Sequence, residues 1–258
     1  MIEKIAPRNE PPPGYYRDYE SAAHNPGAPN YFEIALHASQ ADIRKVLKDH
    51  PSVTCVALGS ATERNIEELR SFIGKNHSTS PTDQFIFLDI SQHSMSRHLS
   101  HKNEHAYNNV NVIQADMNTA PLKDGSADVI VIDYTINFNL TLSQYAETLE
   151  SVSRLLSQDG ICILTLSINS KENKDVLLAD PQRTSSRTNT TTIRKDVLFS
   201  LLREKGFSFK ILTQIGELDF HDPIIRLVLK KETKAQAVKS ALPLLFQKVL
   251  GALQSKVS

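Results

Sequence analysis

Three aspartates, Asp89, Asp116 and Asp133, close or follow short apolar runs, and Gly59 closes a fourth. The runs span residues 53–58, 85–88, 110–113 and 128–132. An ionised carboxylate is an acceptor with two oxygens, so it suits a ligand that presents paired donors. The same acids also suit a local task, because Asp closes turns and caps helices. Asp124 and Asp128 read as a turn residue and a strand-start residue. His93, His98, His101 and His105 form a second cluster, whose spacing puts two imidazoles on one helix face. No carboxylate or cysteine completes a metal set there, so no metal site is expected and the stretch reads as a solvated helix. Arg183 and Arg187 lie in a polar stretch, residues 179–192, that reads as a flexible loop or as a lid meeting an acidic substrate. His221 reads as incidental.

The elements that must position these groups follow from hydrophobic spacing. Residues 1–30 hold three consecutive prolines and read as an extended arm. Phe32, Ile34, Ala35, Ala38, Ile43, Val46 and Leu47 predict one helix, closed by Pro51. The four apolar runs and a fifth, residues 161–168, alternate with helical patterns. One pattern holds Ile66, Leu69, Phe72 and Ile73. Another runs from Leu142 through Tyr145, Leu149 and Val152 to Leu155 and Leu156, with Asp159-Gly160 as its stop. Thr192 is expected to cap a helix containing Ile193, Val197, Leu198, Leu201 and Leu202, ended by Gly206. Runs 207–212 and 224–229 follow with no helix between them, which predicts an antiparallel pair.

Apolar strands alternating with helices imply a parallel sheet buried on both faces. The fold expected is α/β, a doubly wound three-layer domain with Rossmann-like topology that ends in an antiparallel hairpin. In such sheets ligands bind beyond the carboxyl ends of the strands, which puts Gly59, Asp89, Asp116 and Asp133 on one rim.

Composition narrows the classes. The chain of 258 residues has 29 Lys+Arg and 29 Asp+Glu, so zero net charge argues against broad nucleic-acid binding. Hydrophobic residues make up 40%, which argues against disorder. The two cysteines, Cys55 and Cys162, sit in apolar runs and read as buried core residues, not as a disulfide or zinc ribbon. The acidic, proline-rich start does not resemble a signal peptide, and no apolar run approaches a membrane span. A cytoplasmic location is the expectation.

Four segments resemble the class I S-adenosylmethionine-dependent methyltransferases of the small-molecule type. VTCVALGSATERN resembles the family's glycine-rich turn, with Gly59 kept and Ala57, Ala61 and Glu63 in place of the usual acid and two glycines. FIFLDISQHSM is similar to the second strand and its turn. NVIQADMNTAPLKDGSADVIVIDYTINF resembles the stretch from strand three through strand four. YAETLESVSRLLSQDGICILTLSI resembles the next helix, turn and strand, and the closing segments TIRKDVLFSLLREKGFSFKIL and DPIIRLVLKK also fit.

The resemblance implies a mostly parallel seven-stranded sheet and S-adenosylmethionine as cofactor, with S-adenosylhomocysteine as product. It implies cofactor contacts from Gly59, Ser60, Ala61, Asp89, Ile90, Asp116, Met117 and Asp133. Asp89 is implied for the ribose hydroxyls, Asp116 for the adenine amino group and Met117 for the ring. Tyr134, Asn137 and Tyr16 are the implied contacts to a small-molecule acceptor, and no catalytic residue is singled out. Tyr15 and Tyr19 join Tyr16 in an arm expected to fold over the cleft.

The implied division is an arm and helix at 1–50, the methyltransferase-like domain at 51–231 and a basic amphipathic tail at 232–258. The tail holds Lys234, Lys239, Lys248 and Lys256 and no acid after Glu232; it reads as docking on the body, on a second copy in a homodimer, or on an anionic membrane surface. The altered turn motivates a second reading, a catalytically silent methyltransferase-like binding or regulatory module.

Overall fold

The computed structural model describes residues 31–48, 50–60, 62–77, 80–138, 141–169, 192–215 and 224–232. Helices α1 (Tyr31–Ala38) and α2 (Gln40–Lys48) precede strand β1 (Thr54–Leu58). Then come α3 (Arg64–Asn76), β2 (Gln84–Asp89), α4 (Gln92–Glu104), β3 (Val110–Gln114) and β4 (Ala127–Asp133). The chain continues through α5 (Leu142–Leu155), β5 (Leu156–Asn169), β6 (Ile193–Arg194), α6 (Lys195–Glu204), β7 (Phe207–Ile215) and β8 (Ile224–Lys231). Short 3₁₀ turns cover Met117–Thr119 and Thr135–Phe138.

Seven strands run in the order β3-β2-β1-β4-β5-β8-β7. Those from β3 to β5 are parallel, and β8 is antiparallel to both β5 and β7. The two-residue β6 pairs with the end of β5. This is the doubly wound sheet with a closing hairpin that the apolar runs predict.

Side chains alternate across the sheet, so each strand feeds two cores. Val56, Leu58, Ile130, Ile132 and Leu164 pack with Leu149 and Val152 of α5 and Leu198 of α6. Cys55, Ala57, Val129, Val131 and Ile163 pack on the other face with Leu36, Ile43, Leu47, Ile66 and Leu69. The helices α1 and α2 therefore share a core with α3. Cys55 and Cys162 are both buried and unbridged, and desolvation pushes both thiols up. Asp128 accepts from the Thr54 backbone N–H (2.9 Å) and the Ser157 hydroxyl (3.0 Å), so it knits strand starts together.

Three local expectations change. The single helix predicted over residues 32–47 is two, because the Ser39 hydroxyl donates to the carbonyls of Ala35 (2.7 Å) and Leu36 (3.2 Å) at the junction. Thr192 does not begin a helix that includes Ile193. Ile193 pairs with Ile168 in β6, and α6 is capped by Arg194 without a side-chain bond. Asp159-Gly160 does not stop α5, which ends at Leu155; Gly160 lies inside β5. A Cβ at Gly160 would meet the carbonyl oxygens of Ala127 and Asp128 at 2.9 Å, so close backbone approach explains this glycine.

Thr141 opens α5 with a capping box. Its hydroxyl accepts from the Gln144 N–H (3.2 Å), and the Gln144 side chain accepts from the Thr141 N–H (3.1 Å). Thr141→Ala is expected to lower stability by about 1 kcal/mol in urea unfolding, with Thr141→Ser close to wild type. No helix among the described residues is long and apolar enough to cross a membrane.

Candidate functional site

The turn after β1 is held from two sides. The N–H groups of Gly59 (2.7 Å) and Ser60 (3.3 Å) donate to the Leu88 carbonyl of β2. The Thr135 hydroxyl, just past β4, donates to the Gly59 carbonyl (2.8 Å). Gly59 has φ +73°, and an added Cβ would lie 1.9 Å from Thr135 Cγ2. Conformation and space both require glycine.

Ser60 is buried and fastened to two helices. Asn65 of α3 donates to its Oγ (3.2 Å), and His98 of α4 places Nε2 3.0 Å away. The His98 Nδ1 lies 2.7 Å from the Ser94 carbonyl. A carbonyl can only accept, so Nδ1 carries the proton in the neutral ring and Nε2 accepts from Ser60. His98 thus supports the turn instead of joining a solvated histidine face. His98→Leu would strand the Ser60 hydroxyl. A loss of roughly 1–3 kcal/mol in urea unfolding is expected.

Glu63 precedes α3, and its carboxylate pairs with Arg97 of α4. The charge that replaces a glycine in the motif is therefore answered by an arginine within the same layer.

Asp89 ends β2 and is 8% exposed; its Oδ1 accepts from the Ser91 N–H (2.8 Å). Its carbonyl accepts from the Ala115 N–H (3.0 Å), which ties the ends of β2 and β3 together. Gln114 donates to the Ile90 carbonyl (3.3 Å). Asp116 Oδ1 accepts from the Asn118 N–H (2.9 Å) and caps the 3₁₀ turn that carries Met117. Met117 is buried against the core. Both acids thus perform the local turn task and stand at neighbouring strand ends.

The end of β4 is more unusual. Asp133 pairs with Thr165, Thr165 with Arg226, and Arg226 with Thr213, making one row across β4, β5, β8 and β7. Asp133 Oδ1 is sealed from solvent and has no hydrogen-bond partner. Burial pushes its pKa up to about 7, against the opposing charge of Arg226 and the smaller effect of the Thr165 hydroxyl. Tyr134 follows with φ +58°, a conformation that costs a non-glycine residue roughly 1–2 kcal/mol. Its ring meets Tyr31 of α1 edge-on at 5.2 Å, and its hydroxyl is buried without a partner. Burial raises the Tyr134 phenol, and the charge of Asp133 adds to this.

Asn137 is committed to the scaffold. Its Oδ1 accepts from the Ser167 N–H (2.9 Å), and its Nδ2 donates to the Ser167 carbonyl (3.1 Å) and the Tyr145 hydroxyl (3.3 Å). The amide of this expected acceptor contact therefore clamps the segment after β4 to β5. Arg226 joins these groups from a strand with no other polar residue in its apolar run. Its signal is one charged residue in the apolar run IIRLVL.

The histidine stretch also differs from expectation. Glu67 of α3 supplies the carboxylate that sequence spacing lacked, and its ligand atom and those of His101 and His105 lie within 4.8 Å of one another. Glu67 accepts from the Tyr107 hydroxyl and from His101 Nε2 (2.9 Å). Burial works to raise the Glu67 carboxyl, but these hydrogen bonds hold it below its ordinary value. The acid lies 34 residues before His101, on another helix, which hid it from sequence spacing.

Ala61, Tyr15, Tyr16, Tyr19, Arg183, Arg187, His221 and the tail after Glu232 lie outside the described residues.

The described rim fits an adenosine-bearing cofactor. It has a turn that only glycine can make at Gly59, carboxylates at two adjacent strand ends, and an unpartnered carboxyl oxygen at a third.

Comparison with known proteins bears on this edge. A family model described as a methyltransferase domain matches residues 50–206. No curated protein matches the chain. The crystal structure of an S-adenosylmethionine-dependent methyltransferase from Clostridium acetobutylicum shares 11% identity, with 84% of this chain and 99% of that chain covered and a TM-score of 0.58. The YcgJ protein from Bacillus subtilis shares 14% identity over 76% of this chain and 100% of that chain, with a TM-score of 0.57. The [4+2]-cyclase SpnF shares 12% identity over 84% of this chain and 92% of that chain, with a TM-score of 0.59. At these identities the structures speak for the fold alone.

Proposed function

Because the chain belongs to the methyltransferase-domain family, we propose that it transfers a methyl group from S-adenosylmethionine to a small-molecule acceptor, leaving S-adenosylhomocysteine. The observation that carries this reading is the meeting of the left-handed Gly59 turn with Asp89 and Asp116 at one sheet edge. Gly59, Ser60 and Ala61 would hold the methionine portion, and Asp89 and Ile90 the ribose. Asp116 and Met117 would hold the adenine, and Asp133 would stand at the inner end of the cleft. The bound sulfonium supplies an electrophilic methyl group, so the chain's own contribution is to hold donor and acceptor in line and exclude water. A general base is needed only where the acceptor must lose a proton.

The test is calorimetric titration with S-adenosylmethionine and S-adenosylhomocysteine. Asp89→Ala is expected to weaken both by roughly tenfold or more, as loss of charge-assisted hydrogen bonds does. Absence of binding at millimolar ligand would sink the proposal. The replaced glycine-rich motif keeps a second reading in play, a catalytically silent module on the same fold. It is distinguished by cofactor binding without turnover across an acceptor screen.

A further inference from the structure

Arg226 is the most unusual charged group among the described residues. It is 2% exposed, on β8 between β5 and the edge strand β7, and it shares with Val228, two residues on, the face covered by α1 and α2. Its Nη1 donates to Thr213 Oγ1 at 3.3 Å, whereas Nε and Nη2 have no partner. Burying an unpaired charge costs several kcal/mol, and buried polar groups are otherwise almost always hydrogen-bonded. Nε and Nη2 form one edge of the guanidinium, the fork that meets two oxygens of a single oxyanion.

The bland explanation is that Arg226 serves as counter-ion to Asp133. The Arg226 charge does act on Asp133, but this accounts for only part of the arrangement. Asp133 Oδ1 is also without a hydrogen-bond partner, so the two groups leave each other unsatisfied across the intervening Thr165. The buried Thr165 hydroxyl between them is likewise without a hydrogen-bond partner, and so is the Tyr134 hydroxyl just past β4, on a residue held in a strained backbone conformation. Such strain collects at functional positions. Four residues with unsatisfied groups, on or just past the consecutive strands β4, β5 and β8, describe a site awaiting a polar ligand.

We infer that Arg226 is an acceptor-recognition residue and that the acceptor carries an oxyanion, a carboxylate or a phosphate, bound by the Nε and Nη2 edge with the Tyr134 hydroxyl nearby. The inference rests on the methyl-transfer reading for the word acceptor, while the anion site stands on its own geometry. Asp133 is compatible with a bound anion. Burial favours its neutral form, which can donate a proton where the ionised form would repel.

The experiment uses the full chain saturated with S-adenosylhomocysteine. Benzoate, inorganic phosphate and the neutral isostere benzamide are titrated by calorimetry. Saturable binding of benzoate or phosphate, about tenfold tighter than benzamide, is expected. The stronger of the two anions assigns the acceptor's group. Arg226→Gln should lose roughly tenfold or more of that affinity while S-adenosylhomocysteine affinity holds, and Tyr134→Phe should lose severalfold. Equal affinity for benzamide, no saturable anion binding, or full anion affinity in Arg226→Gln overturns the inference. Should the glutamine variant not fold, the unsubstituted protein decides. The assigned Arg226 Nε–H resonance must move on benzoate or phosphate addition, and a resonance unmoved by both overturns the site. Anion binding without S-adenosylhomocysteine binding would sink the methyl-transfer reading and keep the site. The reverse result would remove the site and keep that reading.

Discussion

Gly59→Ala is expected to lose roughly 3 kcal/mol of stability, against about 1 kcal/mol for Gly125→Ala and Gly206→Ala. All three glycines have left-handed backbone, with φ of +73°, +64° and +76°. They differ in their surroundings. Nothing lies within 4 Å of an added Cβ at Gly125 or Gly206, so those variants bear the conformational cost alone. At Gly59 the new Cβ would stand 1.9 Å from Thr135 Cγ2 and 2.4 Å from Thr135 Cβ. Truncating Thr135 to alanine cannot remove the second contact, so the backbone after β4 must move. That movement would break the hydrogen bond from Thr135 to the Gly59 carbonyl and disturb Tyr134 beside it. Urea unfolding of the three variants checks the stability ranking. Calorimetry checks its functional counterpart, loss of S-adenosylhomocysteine affinity in Gly59→Ala alone. Equal stability losses in all three would show that Thr135 does not wedge the turn.

The parts of the molecule that sequence spacing reveals are those built from local signals. Apolar runs such as residues 128–132 mark strands because both of their faces are buried, and their abrupt polar ends mark the rim. The closing hairpin is legible because no helical pattern separates its two apolar runs. What stayed hidden depends on partners far apart in the chain. Glu67 meets His101 across 34 residues, and Ser60 meets His98 across 38. Glu63, alarming as a glycine replacement, is answered by Arg97 one helix away. Gly160 reads as a helix stop until the carbonyls of β4 are seen pressing on it. Arg226 shows the limit most clearly: its sequence context says only that a charge interrupts a strand. Its meaning depends on Thr165, Asp133 and Thr213 arriving in register from three other strands.

The same row sets the second large expectation, that Asp133→Asn stabilises the protein in a pH-dependent way. Burial raises the Asp133 carboxyl from 3.8 to about 7, with the Arg226 charge opposing. In the unfolded chain the group ionises near its ordinary value. Between about pH 4 and 7, therefore, the folded protein retains a proton that the unfolded chain has released, and stability falls as pH rises through that window. Asparagine never ionises and removes this loss. The stability gain of Asp133→Asn over wild type should be small near pH 4, grow through the window and level off above pH 7. A plateau of about 3 kcal/mol is expected, somewhat below the full shift because part of the residue reaches solvent. Glu67 runs the opposite way, since its lowered carboxyl contributes stability at higher pH that is lost on acidification. Taking the difference between variant and wild type at each pH cancels Glu67 and every other group the substitution leaves unchanged. Urea unfolding at pH 4.5, 6, 7 and 8 supplies the curve. A difference independent of pH would show that Asp133 ionises in the folded protein as it does in the unfolded chain. If S-adenosylhomocysteine affinity falls in the same variant, the carboxyl's unfavourable burial is explained by cofactor binding.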